Sequence, residues 1–145
     1  LVMDTYSMGN SGSTYTDMPI NHKVFLAQFD AIKKLASEGP CVMVGRCADY
    51  ALSEYKDCFS VFVHADTDWR INRLSQKHNK TAKEAKDMIN KTDKSRSSYY
   101  NYYTNKKWGA ASSYNLCVDS SKLGIDGAAK AIIQAIEIFD SIKNK

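Results

Sequence analysis

Three short apolar runs, each followed by a stretch with helical spacing, most constrain how this chain of 145 residues can fold. The runs are CVMVG at 41–45, FSVFVHA at 59–65 and YNLCVDS at 114–120. Runs of this length and composition are typical of strands buried on both faces. Because strands that alternate with helices pair in parallel through helical crossovers, the order predicts an α/β fold with a thin, three-stranded parallel sheet.

The segments around these runs predict helices. Apolar residues at helical spacing predict a helix over 22–37, and Gly39 with Pro40 ends it. Further helices are predicted near 48–52, after Asp66 or Thr67 as N-cap, over 81 to about 103, and over 127–142. The inner face of the long polar helix from residue 81 is predicted to carry Ala82, Ala85, Met88 and Ile89. Residues 1–20, rich in Ser, Thr, Gly and Asn, are predicted to form a loop or mobile arm.

The composition is that of an ordinary soluble globular protein, with 43% apolar and 25% charged residues. No apolar run reaches the roughly 18 residues of a membrane span, and no secretory signal is recognisable. We therefore expect a cytoplasmic protein without a membrane partner. The net charge of +4 suits an anionic small molecule as easily as a nucleic acid.

The four cysteines have no metal-type CxxC spacing. In an unsecreted chain they are expected to be reduced and mostly buried thiols, rather than redox groups or metal ligands. They are Cys41, Cys47, Cys58 and Cys117.

Arginine is rare in this chain, because only four of its twenty basic residues are arginine. All four lie between residues 46 and 96, near the middle of the chain: Arg46, Arg70, Arg73 and Arg96. The planar fork of arginine is hard to replace where a phosphate must be held by two hydrogen bonds. The distribution predicts a phosphate site in this part of the chain, and the alternative is structural pairing with nearby carboxylates.

No glycine-rich phosphate cradle of the form GxxxxGK[ST] occurs in the sequence. The stretch GNSGST at 9–14 has the glycines, but it lacks the lysine and does not follow a predicted strand. We therefore do not interpret this stretch as a P-loop.

Four segments nevertheless resemble, in the right order, the cytidylate kinase-like family of nucleoside monophosphate kinases. They are VGRCADYAL, VFVHADTDWRINRL, INKTDKSRSSYYNYYTNKKWG and YNLCVDSSKLGIDGAAKAI. The resemblance runs from about residue 22 to the C-terminus. It implies a three-layer α/β/α sheet of the P-loop kinase type, here incomplete because the N-terminal strand, the P-loop and the following helix are missing. Residues 21–145 would form one domain with a lid-like helical segment at about 81–110.

The resemblance also implies a reaction, in which the complete enzyme uses ATP and Mg²⁺ to phosphorylate a nucleoside monophosphate, CMP or dCMP. Since the sequence lacks the phosphate cradle, we expect this chain by itself not to catalyse the transfer at a useful rate. A sheet without its central strand would expose unpaired edges, so a homodimer or strand exchange is the expected form of association.

The strand-to-helix turn VGRCAD is expected on the acceptor side of this site. The family has Gly-Arg-Asp there, and its arginine and aspartate contact the monophosphate. Gly45 and Arg46 match, but Cys47 stands in the place of the aspartate, so Asp49 is the candidate to replace it. An arginine at the carboxyl end of a parallel strand is well placed to bind phosphate, and a surface ion pair is the alternative.

The lid-like helix supplies the catalytic candidates that the resemblance implies, Asp93 and Arg96. Their spacing puts both on one helix face, where the carboxylate can orient the arginine or meet a sugar hydroxyl while the arginine meets phosphate. The family has another arginine where this chain has Ile89, so Lys91 or Lys94 would have to supply that charge.

Arg70 and Arg73 are expected on the ATP side, where the family places one arginine near the adenine and another near the phosphates. Arg70 has the alternative of pairing with Asp66. The resemblance assigns no role to the stretch Asp119–Ser121. His64 ends a strand and is interpreted as a packing residue.

The aromatic run near the lid has two interpretations. Beside Lys106 and Lys107, it could stack single-stranded nucleic acid, or it could be the apolar end of the lid packed on the body. The resemblance favours the second. The run comprises Tyr99, Tyr100, Tyr102, Tyr103 and Trp108. The alternative functions are therefore a non-catalytic module that binds nucleotides or nucleic acid, and a P-loop kinase for another small-molecule acceptor.

Overall fold

The computed structural model describes residues 20–143. The predicted arm and the GNSGST stretch lie outside these residues, apart from Ile20. The helices are α1 (Ile20–Glu38), α2 (Ala48–Ala51), α3 (Thr67–His78), α4 (Ala82–Thr104) and α5 (Ser120–Lys143), and the strands are β1 (Val61–His64) and β2 (Leu116–Asp119). A short 3₁₀ helix, Ala111–Ser113, precedes β2. The βα order that the sequence predicted is therefore confirmed for two of the three strands.

The sheet has two strands in the part of the chain that the structure describes. β1 and β2 pair in parallel, with Val61 opposite Leu116 and His64 opposite Asp119. At the amino end of the pair, the Asn115 side-chain oxygen accepts hydrogen bonds from the backbone N–H and the hydroxyl of Ser60, at 2.8 and 2.7 Å. Both strands are shorter than the apolar runs that predicted them, because the flanking residues have no strand partner.

The prediction of a third strand at 41–45 is wrong for the described residues. This segment has no regular secondary structure, and the side chains of Val42 and Val44 are 94% and 91% exposed. An apolar run becomes a strand only where a neighbouring strand satisfies its backbone hydrogen bonds. No such neighbour lies among residues 20–143, so a small two-stranded α/β arrangement is observed instead of a three-layer sheet.

The helix boundaries agree with the sequence signals. The carboxylate of Asp66 accepts hydrogen bonds from the N–H groups of Asp68 and Trp69, at 2.9 and 3.4 Å, and so caps α3. Thr81 and Glu84 form a capping box at the start of α4. These local devices explain why the starts of both helices could be predicted.

Two helices differ from the prediction. On α4 the buried residues include Ala85 and Ile89, whereas Met88 is 40% exposed and Ala82 is also exposed, because the buried face of this helix is narrower than its apolar pattern. A short helical turn follows β2 directly, and the regular helix predicted from residue 127 begins after it. Gly124, with φ of 69°, breaks the regular helix near its start.

Two small clusters form the core beside the sheet. In the first, Ile32 of α1 packs on α2, with Met43 and Cys58 at its border. In the second, Phe25 of α1 contacts Cys47 and Tyr100, which joins α1 to α4. The two clusters hold the turn between residue 45 and α2 from both sides.

All four cysteines are free thiols, but the expectation that most are buried is wrong. Cys47 is buried, Cys41 is exposed, and the other two are half-buried. No helix among residues 20–143 combines the length and apolarity needed to cross a membrane.

Candidate functional site

The turn that follows residues 41–44 has an unusual backbone. Gly45, Arg46 and Cys47 have φ of 74°, 55° and 56°, so three consecutive residues are left-handed. For residues other than glycine this conformation costs roughly 1–2 kcal/mol each, and such strain concentrates at functional sites. The turn buries the Cys47 side chain and leaves that of Arg46 exposed.

Arg46 lies against α4. Its guanidinium interacts with the hydroxyl of Tyr99, which in turn donates a hydrogen bond of 3.1 Å to the side-chain oxygen of Gln28. Burial raises the pKa of Tyr99, and the positive charge of Arg46 partly offsets that rise. The arginine of the turn is therefore held beside the helix that carries the other predicted site residues.

Asp49 is held by a buried tyrosine. The hydroxyl of Tyr100 donates a hydrogen bond of 2.7 Å to Oδ2 of Asp49, and the Tyr100 side chain is only 6% exposed. Burial, followed by this hydrogen bond, raises the pKa of Tyr100 far above its usual range. Among residues 20–143 no cation pairs with Asp49, so its carboxylate remains available as an acceptor.

A polar cleft of about 280 Å³ lies beside Asp49. It is bordered by Ser60 and Asn115, which immediately precede the two strands, and by Lys106. Asp49 therefore faces a cleft at the amino end of the sheet, whereas ligands of open α/β sheets bind at the carboxyl end.

The Asp93 carboxylate pairs with Arg70 rather than with Arg96. Two hydrogen bonds of 2.7 and 2.9 Å join the Arg70 guanidinium to both oxygens of Asp93. This pair ties α3 to α4. The expectations that Asp93 orients Arg96 and that Arg70 pairs with Asp66 are both wrong. The packing of α3 on α4 places the Arg70 guanidinium against the Asp93 carboxylate instead.

Arg96 lies between the two contacts that anchor α4. It follows Asp93 by three residues and precedes Tyr100 by four, so all three share one helix face. Within residues 20–143 Arg96 is exposed and has no hydrogen-bond, ion-pair or ring partner. In contrast, the guanidinium of Arg73 lies over the ring of Trp69, 5.5 Å from its centre.

Position 89 cannot supply a charge, since Ile89 is 6% exposed and belongs to the core. Lys91 and Lys94, the proposed substitutes, are both exposed. The structure therefore leaves Arg96 and these lysines as the solvent-facing cations of this part of α4.

The aromatic run packs on the body of the protein, as the resemblance predicted. Tyr100 is buried, and the ring of Tyr103 stacks on that of Phe25 at 4.0 Å. Trp108 meets Phe62 of β1 edge-on at 5.2 Å. Only Tyr102, which is 74% exposed, offers a bare ring within this run.

Sequence reasoning missed one juxtaposition at the carboxyl end of the sheet. His64 and Asp119 are register partners and so point to the same side of the sheet. Hydrogen bonds from Ser121, the largest cause, lower the pKa of Asp119, and His64 lowers it further. The interpretation of His64 as a packing residue is wrong, because its side chain is exposed. Both residues end an apolar run, which is the signal that could have paired them.

The described residues do not form a magnesium site of their own. No group of three or more His, Cys, Asp or Glu side chains among residues 20–143 is arranged to hold a metal ion. The 145 residues also contain no GxxxxGK[ST] run that would cradle the phosphates of ATP.

Comparison with known proteins places these residues in a family. The family model for the cytidylate kinase-like family matches residues 1–122. The chain belongs to the cytidylate kinase-like family. The match includes the Gly45–Cys47 turn and the whole of α4, and it ends near the start of α5.

One solved structure similar to this chain is that of an uncharacterised protein from Eubacterium ventriosum. It is 32% identical in sequence and superposes with a TM-score of 0.77, over 81% of this chain and 74% of its own. No curated protein matches the chain. The family match is to kinase-like proteins.

Proposed function

We propose that this chain contributes the acceptor side of a nucleotide kinase, binding a nucleoside monophosphate, CMP or dCMP, for phosphorylation by ATP. The single observation that supports this most is the unpaired guanidinium of Arg96. Within residues 20–143 Arg96 has no partner, and it lies on α4 between two side chains that anchor the helix, so it presents a cation to solvent from a fixed backbone position. Such a cation is suited to an incoming phosphate.

Arg46 is proposed as the second phosphate ligand. Its contact with Tyr99, three residues after Arg96 on α4, puts both guanidiniums along the same stretch of helix. The strained turn at 45–47 fixes the Arg46 backbone, so the loop itself need not be ordered when phosphate binds. Two arginines that approach from different elements can bind more oxygens of one phosphate than either could alone.

The carboxylates have different roles in this proposal. Asp49 is the candidate acceptor for a donor group of the nucleoside that enters the cleft at the amino end of the sheet, since Tyr100 holds one of its oxygens and no cation among residues 20–143 neutralises it. Asp93 acts through Arg70, because their bidentate pair sets the position of α4 against α3 and therefore of Arg96. Asp93 is thus proposed as a positioning residue.

Phosphoryl transfer depends mostly on positioning and on neutralising the charge of the transferred group. In this chain Arg46 and Arg96 would supply positive charge on the acceptor side, and Arg73 is proposed for the ATP side. ATP and Mg²⁺ would supply the transferred phosphoryl group and the balancing charge in the complete enzyme. Because the sequence lacks the phosphate cradle, the proposed activity of this chain by itself is binding of the monophosphate.

Calorimetric titration with CMP tests the proposal, with AMP as the comparison ligand. We expect saturable binding of CMP, weakened about tenfold or more by Arg96→Ala or Arg46→Ala, because each change removes charge-assisted hydrogen bonds. The matched control is Lys86→Ala, which removes an exposed positive charge from the same helix without touching the proposed site. No binding at millimolar CMP, or equal losses with the control, would contradict the proposal.

A nucleic-acid module is the competing function, and the packing of the aromatic run does not favour it. Three of the four tyrosines in this run contact the core, which leaves a single ring for stacking. Steep salt dependence of oligonucleotide binding, lost on Tyr102→Ala, would support this alternative.

A further inference from the structure

The left-handed turn, α1 and α4 meet at the side chain of Tyr99. Its hydroxyl donates a hydrogen bond of 3.1 Å to Oε1 of Gln28 on α1, and the guanidinium of Arg46 interacts with the same hydroxyl. The Tyr99 ring lies edge-on to that of Phe25, with centroids 6.4 Å apart, and 4.8 Å from the ring of Tyr103. Three elements that are distant in sequence are thus joined at one oxygen atom of a well-packed side chain.

The donors and acceptors of this contact have a fixed direction. A tyrosine hydroxyl has a single hydrogen, which Tyr99 gives to Oε1 of Gln28. A guanidinium can only donate, so Arg46 has to use a lone pair of the same hydroxyl oxygen. Gln28 therefore keeps the hydroxyl hydrogen away from Arg46. Without that acceptor the hydrogen is free to rotate towards the guanidinium, and two donors then face each other.

The partner that orients Arg46 is uncharged. The Arg70 guanidinium, by comparison, binds both oxygens of Asp93, so its charge is neutralised within the protein. Arg46 belongs to none of the ion pairs in the part of the chain that the structure describes. Because a guanidinium has five N–H donors, one hydrogen bond to a hydroxyl orients it and leaves the other donors and the full charge for a phosphate.

The backbone of the turn alone does not fix the Arg46 side chain, which is long and exposed. Such a side chain loses rotamer freedom when it binds a ligand, and that loss weakens binding. Gln28 is half-buried and borders the same surface groove as Arg46. A contact that orients the guanidinium before phosphate arrives removes part of the loss.

We propose that Gln28 is a positioning residue for Arg46, acting through the Tyr99 hydroxyl to aim the guanidinium at the phosphate of the acceptor. The inference rests on the proposed function, because that function gives Arg46 a phosphate to bind. It also brings α1 into the site, since the resemblance assigned no role to this helix. Gln28 and Tyr99 orient a ligand-binding side chain and are not themselves substrate ligands in this proposal.

Calorimetric titration with CMP tests whether Gln28 acts through Tyr99. Gln28→Met and Tyr99→Phe should each weaken binding about three- to tenfold, because the guanidinium remains but is no longer oriented. The double variant should bind CMP as weakly as Tyr99→Phe alone, since the effect of Gln28 needs the hydroxyl. Losses that add in the double variant, or a Gln28→Met chain that binds CMP as the wild type does, would overturn the inference.

The matched control is Gln134→Met, which makes the same exchange at an exposed position of α5. It should leave the affinity for CMP unchanged, and a loss equal to that of Gln28→Met would contradict a role specific to Gln28. Circular dichroism of each variant separates lost orientation from lost folding.

The pKa of Tyr99 gives a readout that does not need CMP. A hydroxyl that donates to Gln28 is stabilised in its neutral form, so Gln28→Met should lower this pKa. Arg46→Met should raise it, because the guanidinium charge offsets part of the rise that burial causes. Cys47 and Tyr103, the other titratable groups beside Tyr99, are unchanged in both variants. The NMR shift of isotope-labelled tyrosine Cζ atoms measures the pKa, and Tyr99→Phe identifies the signal.

The two readouts distinguish failure of the inference from failure of the proposed function. A higher Tyr99 pKa in Gln28→Met would mean that Gln28 donates instead of accepting, and an unchanged pKa would mean that the hydrogen bond is absent in solution. Either result contradicts the inference even if CMP binds. If the wild type does not bind CMP, the proposed function fails, and the phosphate role of Gln28 fails with it whatever the pKa does.

Discussion

Two apolar segments of similar composition, Cys-Val-Met-Val at 41–44 and Val-Phe-Val-His in β1, have opposite surroundings in this protein. β1 pairs with β2 along its whole length, and its Phe62 ring stacks on Tyr114 at 5.0 Å. Residues 41–44 have no strand partner among the described residues, and both valines face solvent. The comparison teaches that strand-forming composition is not sufficient, because a strand exists only with its neighbour.

The largest expected difference between the two segments is in how much their side chains contribute to the free energy of unfolding. Phe62→Ala should lower the free energy of unfolding by about 3 kcal/mol, since the ring contacts Tyr114 and Trp108. Val44→Ala should change it by less than about 0.5 kcal/mol, because that side chain is already exposed. Urea unfolding measures both changes. Similar losses for the two variants would mean that residues 41–44 are packed in solution.

The residue that ends the exposed turn is expected to make stability depend on pH. Burial, with the nearby charge of Asp49, raises the pKa of the Cys47 thiol from 9.0 to about 11. A folded-state pKa above the unfolded one means that the contribution is present below pH 9 and is lost as pH rises towards 11. The loss amounts to at most about 2 kcal/mol.

Unfolding measured from pH 8 to 11 checks this, with Cys47→Ala as the reference. The tyrosines also titrate in this range, so the informative quantity is the difference between the wild type and the variant. We expect that difference to shrink as pH rises. A difference that is constant with pH would exclude the proposed protonation effect.

Two glycines with nearly the same φ allow the cost of backbone strain to be distinguished from the cost of a side-chain clash. Gly109 and Gly45 have φ of 77° and 74°, but a Cβ on Gly109 would lie 3.2 Å from Phe62 whereas one on Gly45 would meet nothing within 4 Å. Alanine at Gly45 should cost about 1 kcal/mol from backbone strain alone. Alanine at Gly109 should cost about 1 kcal/mol more, because the Phe62 ring must also move.

The double variant Phe62→Leu with Gly109→Ala tests the cause of that extra cost. If contact with the ring causes the extra cost, the smaller leucine side chain should remove part of it. The double variant should then lose less stability than the sum of the losses of the two single variants. Strictly additive losses would show that the backbone alone decides both sites.

The smallest expected effect concerns the ion pair that fixes α4 relative to the helix after β1. Arg70→Ala and Asp93→Ala in a double-mutant cycle should show a coupling of about 1 kcal/mol, because the pair is bidentate but about a quarter exposed. High salt should reduce it. The exposed pair Lys80–Glu84, at 3.8 Å, should show less coupling and provides the comparison.

The candidate site was only partly predictable from the sequence. Arginine scarcity and motif spacing indicated Arg46 and Arg96, and the structure finds both exposed at α4. The spacing of Asp93 and Arg96 could not show that Arg70, 23 residues earlier, would take the carboxylate. Nor could it show that Tyr100 holds Asp49, since that contact joins positions 51 residues apart.

Helix positions, by contrast, followed from local sequence. Caps such as Asp66 and Thr81 lie within three residues of the N–H groups that they satisfy, so the signal and the structure share one short segment. Helical hydrogen bonds are also internal to each helix. Four of the five helices therefore begin within two residues of the predicted place, and the regular part of α5 begins after Gly124, close to the predicted residue 127.

The sequence by itself determined the order of helices and apolar runs, the family and the charged residues available to a site. Only the tertiary structure decided which apolar run became a strand, which carboxylate each arginine met and which aromatic rings were buried. The physical reason is that these outcomes depend on contacts between distant segments. A strand such as β1 or an ion pair such as Arg70–Asp93 exists only when the fold brings its second half close.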